Sequence, residues 1–285
     1  MSQTINAALG TARRLQTASD SWQLDTEILL AAVLEKQRDY LHTWPDTELT
    51  LEQAQTFERA MQRRERGEPV AYLVGKQGFW DIEVVVNEHV LIPRPETELL
   101  VESAIALYQN RFNESMRVAD LGTGSGAIAL ALANTFPRWC ITAIDVSEAA
   151  LAVAKANARR LRLNNVEFSL ASWCDGFDGE QFDLIISNPP YVAPDDRHLE
   201  QGDIRFEPKS ALIAEEDGLA EIKKIAQQSA THLKEDAWLL LEHGYSQAPQ
   251  VQDIFANCGF QNIVCRQDLA GLDRMTQAQW CQCKL

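Results

Sequence analysis

The sequence predicts an α/β fold, in which a small N-terminal helical domain precedes a doubly wound, mostly parallel sheet with an antiparallel C-terminal edge strand. The 285 residues exceed the usual size of a single domain, about 100–150 residues. Strand-like and helix-like segments alternate from Arg117 onward, as in parallel sheets, where each crossover is usually a helix. The last two strand-like segments are joined by too few residues for a crossover, so they should pair antiparallel.

Residues 1–72 are predicted to form the helical domain. The segment Leu24–Leu34 is rich in apolar residues and alanine, which favours a buried helix. Apolar residues then recur every three or four positions within Leu51–Met61, the spacing of one helix face. Gly67 and Pro69 should end that second helix.

Residues 73–95 are predicted to be a β-hairpin linker, and residues 96–285 the sheet domain. Ile82, Val84 and Val86 alternate at period two, which is typical of a strand with one buried face. The elements predicted after the linker are a helix at 96–109, a strand at 117–121, a helix at 127–136, a strand at 140–146, a helix at 147–161, strands at 166–170 and 182–188, a helix at 219–233, a strand at 237–243, a helix at 250–260 and a strand pair near 263–266 and 275–281.

Composition narrows the classes of function. The chain has 26 basic and 41 acidic residues, a net charge of −15, which counts against DNA or RNA binding because phosphates are contacted by Lys and Arg. Six cysteines without a CxxC pair predict reduced thiols, no metal site and a cytoplasmic protein. Residues 1–14 lack the apolar segment of a secretory signal, and no apolar run reaches the roughly 18–20 residues that span a bilayer, so no membrane association is expected.

A glycine-rich loop follows the first strand of the sheet domain. Gly122, Gly124 and Gly126 stand directly before a helix, where glycines permit a sharp turn and close approach of a ligand. Asp145 ends the second strand, 19 residues after Gly126, where a carboxylate can accept hydrogen bonds from ribose hydroxyls. The GxGxG spacing differs from the GxGxxG of dinucleotide sites and favours S-adenosylmethionine over NAD, although a purely structural turn is an alternative.

Trp173 follows the third strand, at the position where an adenine ring would rest in such a fold. A tryptophan face can stack on adenine. The alternative is a core or surface tryptophan without a ligand.

The fourth strand leads into the tetrapeptide Asn188-Pro189-Pro190-Tyr191. Carboxyl ends of parallel strands meet at one edge, so this segment should face the same crevice as the glycine loop. The prolines remove two N–H donors, Asn188 adds an amide oxygen, and Tyr191 adds a flat ring. Such acceptors suit an NH2 group with a delocalised lone pair, because they can hold its hydrogens while the nitrogen faces a methyl donor. A surface proline turn is the alternative.

In these motifs the sequence resembles the HemK/PrmC family of peptide chain release factor N5-glutamine methyltransferases. The resemblance rests on seven blocks in order: PVAYLVGKQGFW, VLIPRPETELLVE, DLGTGSGAIALALA, SNPPYV, FEPKSAL, DGL and LLLEHGYSQ. It implies a Rossmann-like, class I S-adenosylmethionine-dependent methyltransferase domain. The implied reaction methylates the glutamine of the Gly-Gly-Gln motif of class I peptide chain release factors and leaves S-adenosyl-L-homocysteine.

The resemblance also implies roles for individual residues. The N-terminal helical domain would engage the release factor. The residues implied to bind the cofactor are Gly122, Thr123, Gly124, Ser125 and Gly126 at the methionine portion, Asp145 at the ribose, Trp173 at the adenine, and Asn188. The glutamine amide would be held by Asn188, Pro189, Pro190 and Tyr191, of which Asn188, Pro189 and Tyr191 are the expected catalytic residues.

Two points are open within the resemblance. Arg94 and Glu96 could line the cofactor pocket or lock the linker. The segment Ile213–Gly218 has a glycine only at its last position, whereas the family more often has a glycine-containing turn before Asp-Gly.

Three rival functions remain at the level of sequence. An N6-adenine DNA or RNA methyltransferase uses the same Asn-Pro-Pro-Tyr clasp, here Asn188–Tyr191, on a flipped base, and the acidic charge counts against it. A binding module that has lost catalysis is disfavoured because Asn188, Asp145 and the glycines are all present.

An NAD-dependent dehydrogenase is the weakest rival, because no His or Tyr–Lys pair is placed for hydride chemistry. His243, at a strand's carboxyl end, could approach the crevice but is expected to be structural.

Overall fold

The computed structural model describes residues 3–200 and 202–281, and the chain separates into two units. The first unit contains the described residues up to Lys76 together with Arg197–Phe206. The second contains Gln77–Asp196 and the described residues from Glu207 onward. The outer bounds of the two predicted domains, residues 1 and 285, lie outside the described residues.

The first unit is helical. The predicted helices around Leu24–Leu34 and Leu51–Met61 are both present, and the second begins at a capping box in which Thr50 and Gln53 exchange hydrogen bonds of 2.9 and 3.2 Å. Its helices are α1 (Ile5–Leu9), α2 (Trp22–Val33), α3 (Arg38–Thr43), α4 (Leu51–Glu65) and α5 (Val70–Val74), with a 3₁₀ turn at Ala12–Leu15.

A buried ion pair joins the parts of this unit. Arg64 of α4 is 4% exposed, and its guanidinium donates to Asp25 of α2 at 2.8 Å and to Asp203 at 2.9 Å. Asp203 belongs to the segment Arg197–Phe206, which is far from the helices in sequence. Arg64 therefore connects two helices and this distant segment through charge-assisted hydrogen bonds.

The second unit contains a two-stranded hairpin and, within the described residues, a seven-stranded sheet with helices. The strands are β1 (Lys76–Phe79), β2 (Ile82–Val85), β3 (Arg117–Leu121), β4 (Cys140–Asp145), β5 (Val166–Leu170), β6 (Phe182–Ser187), β7 (Leu233–Glu242), β8 (Gln261–Gln267) and β9 (Asp273–Gln279). The helices are α6 (Glu98–Tyr108), α7 (Ala127–Thr135), α8 (Glu148–Leu161), the single turn α9 (Glu215–Gly218), α10 (Ala220–His232) and α11 (Ala248–Asn257).

The sheet has the order β5-β4-β3-β6-β7-β9-β8. The first five strands of this order are parallel, and β9 pairs antiparallel with both β7 and β8. The predicted parallel sheet with an antiparallel C-terminal edge is therefore confirmed. Strand order reverses between β3 and β6, and in such sheets ligands bind outside the carboxyl ends of the strands at this reversal.

One element boundary was wrong in the sequence prediction. Strand β7 begins at Leu233, inside the segment predicted as the end of a helix. Asp236 has a positive φ of 63°, and the β6–β7 register shifts between Phe182 and Leu184. This irregularity lets the strand continue across a polar stretch that carries no period-two apolar pattern.

Within the second unit, a buried asparagine attaches the hairpin to α8 and to the glycine loop. Asn157 of α8 accepts from the N–H of Val85 at 2.7 Å and donates to the carbonyls of Val85 and Ser125. Because Ser125 lies in the glycine loop, one side chain joins the hairpin to that loop. Across the residues described by the structure, no helix has the length and apolar character needed to cross a bilayer.

We expect Arg64→Ala to lower the free energy of unfolding by about 3–5 kcal/mol, because it leaves the buried Asp25 carboxylate without its cation. The measurement is urea denaturation of the full chain followed by circular dichroism. Arg14→Ala is the matched control in the same unit: its guanidinium pairs with Glu58 and Glu65 at the surface, so the loss should be roughly 0–1 kcal/mol. If the free energy of unfolding fell equally in the two variants, burial of the Arg64–Asp25 pair would not explain its contribution to stability.

Candidate active site

The glycine loop leaves β3 in a conformation that requires glycine. Gly122 and Gly126 have φ of 72° and 86°. A Cβ on Gly122 would lie 3.1 Å from Cζ3 of Trp173, and one on Gly126 would lie 3.0 Å from Cδ1 of Leu130. The loop is also tied to β4, since the N–H groups of Gly122 and Thr123 both donate to the carbonyl of Ile144 at 2.8 Å. The backbone turn predicted from the glycine pattern is thus held closely against its neighbours.

Asp145 ends β4 beside this loop. Its Oδ2 accepts from the N–H of Gly124 at 2.9 Å, and its Oδ1 accepts from the N–H of Ser147 at 2.9 Å. Two backbone donors therefore fix the orientation of a half-buried carboxylate. Carboxylate oxygens have further lone pairs that remain available to a ligand's hydroxyl groups.

The buried side chain of Asp120 holds the glycine loop and the start of α7 through two hydrogen bonds. Its Oδ2 accepts from the hydroxyl of Thr123 at 2.6 Å and from the N–H of Ala129 at 3.2 Å. Burial raises the pKa of this fully buried carboxyl to about 7. Thr123 and Ser125 are themselves buried, so these two predicted cofactor residues shape the loop from its inner side.

A cavity of about 270 Å³ opens at the carboxyl ends of the strands. It brings together six of the residues predicted for the site: Gly122, Gly124, Asp145, Trp173, Asn188 and Pro190. Five other predicted residues do not belong to its lining: Thr123, Ser125, Gly126, Pro189 and Tyr191. The cavity thus joins the glycine loop and the tetrapeptide, which are far apart in sequence.

The Trp173 ring is fixed in the cavity wall. Its Nε1 donates to Glu221 at 2.5 Å, and the opposite end of the indole lies against Gly122. The residue has a positive φ of 50°, which is uncommon for a bulky side chain and is held by these contacts.

Several residues of the cavity lining were not predicted from the sequence. Val146 is 64% exposed although apolar, and it directly follows Asp145 in the cavity wall. Its position next to the strand-ending carboxylate was the signal that could have identified it. The other missed lining residues are His89, Val90, Leu91, Ser147, Ala150, Ala171, Ser172, Pro208, Ser210, Ala211, Ile213, Glu221 and Lys224.

The tetrapeptide is held from its first residue. Asn188 donates from Nδ2 to the hydroxyl of Thr97 at 3.0 Å, which orients its amide group. Just before it, the hydroxyl of Ser187 donates to the carbonyl of Leu121 at 2.6 Å and joins the ends of β6 and β3. The amide plane of Asn188 is therefore fixed relative to the glycine loop.

Tyr191 is held at both its side chain and its backbone. The hydroxyl donates to Oε1 of Glu242 at 3.1 Å, and the carbonyl accepts from Nε2 of Gln247 at 3.1 Å. A Cβ on Gly218 would lie 2.1 Å from the Tyr191 carbonyl oxygen, so only glycine fits there. These contacts make the tetrapeptide a rigid element rather than a mobile surface turn.

The segment Ile213–Gly218, where the sequence departs from the family pattern, forms an unusual turn. Glu216 and Asp217 adopt positive φ of 53° and 55° without being glycines. Gln247 holds the turn by donating to the carbonyl of Asp217 at 3.0 Å. Two residues thus take the left-handed conformation that a glycine would adopt without steric cost.

The structure separates the two roles left open for Arg94 and Glu96. Arg94 pairs with Glu207 at 2.5 Å, and the Glu207 side chain is fully buried and also accepts from the N–H of Ile92 at 3.1 Å. Neither Arg94 nor Glu96 belongs to the cavity lining. Arg94 therefore locks its segment in place.

Glu242 and His243 lie at the end of β7. Both ring nitrogens of His243 have partners, the carbonyl of Gly244 and the hydroxyl of Thr276, and burial lowers its pKa, as expected of a structural histidine. Glu242 was not singled out from the sequence. It is 1% exposed, and burial raises the pKa of its carboxyl to about 7, with the charge of Glu96 acting in the same direction.

Comparisons with known proteins cover both units. Residues 8–75 match the family model described as the PrmC N-terminal domain, and residues 96–207 match the model described as the Methyltransferase small domain. The release factor glutamine methyltransferase of Pseudomonas aeruginosa is 48% identical over 92% of this chain and 94% of its own length. The corresponding protein of Shewanella oneidensis is 45% identical over 94% of this chain and 92% of its own length.

A solved structure agrees on the fold. A methyltransferase from Pyrococcus furiosus matches with a TM-score of 0.51 at 17% identity, covering 70% of this chain and 88% of that one. The Rossmann-like methyltransferase fold implied by the sequence is confirmed by this likeness and by the family model for residues 96–207. From the relatives' identity over nearly the whole length, the chain belongs to the release factor glutamine methyltransferase family.

Proposed function

We propose that this protein transfers a methyl group from S-adenosylmethionine to the side-chain amide nitrogen of the glutamine in the Gly-Gly-Gln motif of class I peptide chain release factors. The observation that carries the proposal is the tetrapeptide Asn188–Tyr191, whose Asn188 and Pro190 line a cavity together with Asp145, Gly122 and Gly124 and whose ends are held by hydrogen bonds to Thr97 and Glu242. The relatives of Pseudomonas aeruginosa and Shewanella oneidensis, which match over more than nine-tenths of this chain, carry the name release factor glutamine methyltransferase.

The residues around the cavity fit S-adenosylmethionine. The volume of about 270 Å³ is near the lower end of ligand cavities, roughly 300–1,000 Å³. Asp145 offers carboxylate lone pairs to ribose hydroxyls, while Val146 and Trp173 offer apolar surface to the adenine. Space is open beside Gly124, which leaves backbone accessible to the methionine portion. When bound, this cofactor supplies a methyl group on a positively charged sulfur.

The chain's own residues then orient the substrate amide. Since Asn188 donates from Nδ2 to Thr97, its Oδ1 is left as the acceptor for one hydrogen of the glutamine NH2 group. Pro189 lacks an N–H, so this part of the loop presents backbone carbonyls as the second type of acceptor. Accepting both hydrogens favours a pyramidal nitrogen whose lone pair faces the methyl group. The N–C bond forms as the S–C bond breaks, and the nitrogen afterwards loses a proton to water.

Preorganised dipoles account for the stabilisation of this step. Positive charge moves from sulfur to nitrogen, and acceptors that are already oriented need no rearrangement at that moment. No side chain has to act as a strong base, because the nitrogen releases its proton only after becoming cationic. The rigid support of Asn188 and Tyr191 is thus the catalytic contribution of the fold.

The substrate is a protein in this proposal. The net charge of −15 disfavours a nucleic-acid substrate, since phosphate contacts require cations. We propose that the helical unit engages the release factor and that the reaction takes place in the cytoplasm, where translation termination factors act. The N6-adenine alternative has only the shared tetrapeptide in its favour.

The first test is methyl transfer from labelled S-adenosylmethionine to a purified class I release factor, with duplex DNA as the parallel substrate. We expect label on the release factor and none when the glutamine of its Gly-Gly-Gln motif is replaced. Label on DNA alone would refute the proposal and assign the tetrapeptide to adenine.

Asn188→Ala should lower kcat by about 10²–10³-fold, the range measured for loss of one preorganised group at a reacting centre, and leave the Kd of S-adenosylmethionine largely unchanged. The measurements are single-turnover methylation and calorimetric binding. Asn134→Ala is the control of the same residue type, since that side chain bonds only Asp81 on the surface. Near-wild-type turnover of Asn188→Ala would contradict the role of the amide as acceptor.

Asp145→Ala should weaken binding of S-adenosylmethionine by about 10–100-fold, because hydrogen bonds from ribose hydroxyls to a carboxylate are lost. Isothermal titration calorimetry gives the Kd directly. Asp178→Ala, an exposed acidic residue of the same unit, controls for the change in net charge and should bind normally. Unchanged affinity of Asp145→Ala would remove Asp145 from the site.

A further inference from the structure

Glu242 contacts the tetrapeptide Asn188–Tyr191 but has no role in the reaction proposed above. It is the last residue of β7, and β7 pairs in parallel with β6, the strand that leads into Asn188. The two carboxyl ends therefore lie side by side. Oε1 of Glu242 accepts the Tyr191 hydroxyl at 3.1 Å, which connects the strand end to the clasp.

The other carboxyl oxygen has an unusual environment. Oε2 is buried and, within the described residues, receives no hydrogen bond of ordinary geometry, while the Thr97 hydroxyl is near enough to the carboxyl to lower its pKa. An unsatisfied buried acceptor costs about 1–3 kcal/mol, more when it is charged. The residues that precede Glu242 on β7, Leu240 and Leu241, are buried and apolar, as is usual in a parallel sheet. A buried carboxyl departs from this pattern, and the group that it holds is the Tyr191 hydroxyl.

The four groups that face Glu242 come from three elements. Thr97 and Glu96 belong to the 3₁₀ turn Pro95–Thr97, Tyr191 to the tetrapeptide, and Arg274 to β9. Burial and the charge of Glu96 raise the pKa of Glu242, whereas the hydroxyls of Thr97 and Tyr191 and the charge of Arg274 act in the opposite direction. Arg274 is itself engaged, since its Nε donates to Asp268 at 2.9 Å.

The Glu242 carboxyl acts on the protonation and orientation of the Tyr191 hydroxyl. Burial and the neighbouring Glu242 charge hold the pKa of the Tyr191 hydroxyl well above its ordinary value, so the hydroxyl keeps its proton and acts as donor to Glu242. Gln247 already fixes the Tyr191 carbonyl. Hydrogen bonds at the hydroxyl and at the carbonyl therefore restrict the orientation of the ring.

We propose that Glu242 is a positioning residue for methyl transfer: its carboxylate accepts the Tyr191 hydroxyl and thereby holds the ring against which the substrate amide is oriented. The inference rests on the proposed function and identifies a residue that acts through another. Glu242 touches Tyr191, and Tyr191 belongs to the clasp.

Protonation of Glu242 weakens this arrangement. The ionised carboxylate is the stronger acceptor, and its negative charge also favours the positive charge that develops on the substrate nitrogen. Because burial raises the pKa of the Glu242 carboxyl to about 7, we expect kcat to be highest above that pH and to fall as pH decreases through it. The pKa of Asp120 is also raised to about 7, so the part of the acidic limb that Glu242→Gln removes is the part that reports the state of Glu242.

The experiment compares Glu242→Gln, Tyr191→Phe and the double variant. Glu242→Gln keeps the shape of the side chain and removes its ionisation. We expect kcat to fall by about 10–100-fold in Tyr191→Phe, which removes the hydrogen bond to the carboxylate. Glu242→Gln should lower kcat by a smaller factor, because its amide oxygen still accepts the hydroxyl but carries no negative charge. The Kd of S-adenosylmethionine stays unchanged in both. The double variant should lose no more than roughly twofold beyond Tyr191→Phe, because both changes act on the same interaction. Glu242→Gln should also abolish the acidic limb of the profile.

Two controls keep the interpretation specific. Glu235→Gln lies on the same strand with its side chain exposed, and it should retain wild-type kcat and pH dependence. Thermal melting of each variant separates loss of fold from loss of positioning. The pH dependence of wild-type kcat needs no variant, so it tests the inference even if a substitution at Glu242 prevents folding.

Three results would overturn the inference while wild-type protein methylates a release factor. One is a Glu242→Gln variant that changes only the melting temperature, with kcat and its pH profile unaltered. Another is a double variant whose loss equals the product of the two single losses. The third is a wild-type kcat that is flat between about pH 6 and pH 8. Failure of the wild-type protein to methylate any release factor would instead refute the proposed function itself.

Discussion

The functional site depends on the connection between the ends of β3, β4 and β6. Ser187 donates to the carbonyl of Leu121, and the loop after Leu121 donates two N–H groups to Ile144. These hydrogen bonds join the starts of the glycine loop and of the tetrapeptide at the point where strand order reverses. Parallel pairing alone would bring the strand ends to one edge, but the side-chain and loop contacts fix which backbone groups face the crevice.

The clasp is made rigid by residues that come from distant parts of the chain. Thr97 orients Asn188, Gln247 and Glu242 hold the two ends of Tyr191, and Gly218 leaves room for the Tyr191 carbonyl. Each contact involves a buried or half-buried polar group with a defined partner. Such a hydrogen-bond network lowers the stability of the fold wherever a buried polar group lacks its partner. In return, it keeps the acceptor groups of the tetrapeptide oriented before a substrate binds.

Much of this arrangement was accessible from the sequence because it is local. The alternation of strands and helices predicted the sheet, and the short last connection predicted the antiparallel edge. Of the residues predicted for the site from GxGxG, Asp145, Trp173 and the tetrapeptide, six line one cavity. Periodicity and spacing carry such information, since each element and each turn is specified by neighbouring residues. The start of β7 was misplaced because Lys234 and Glu235 interrupt the apolar pattern within the strand.

The functional residues that were not predicted from the sequence have a property in common. Val146, Glu221 and Glu242 act through contacts with positions far away in sequence or through their surroundings in the folded chain. In the sequence, Glu242 looks like the polar residue that ends an apolar strand. Only the pairing of β7 with β6 in the folded chain brings its carboxyl to the Tyr191 hydroxyl. The same is true of Arg64, whose partners Asp25 and Asp203 are brought together only by folding. A single sequence contains no periodic signal for such pairings.

The charges around the cavity give a physical reason why an amide of a protein suits this site better than a base of DNA. Asp145 lies in its wall, and Asp120 and Glu242 are buried carboxyls at the same edge of the sheet, with pKa values raised to about 7. Negative groups favour a positively charged cofactor and the positive charge that develops on the accepting nitrogen. The same groups oppose the phosphates that accompany every nucleotide, and Lys224 in the cavity wall acts in the opposite direction. Since an adenine and a glutamine amide present the same NH2 chemistry, the balance of charge around the site is the property by which the proposed protein substrate differs from a nucleic acid.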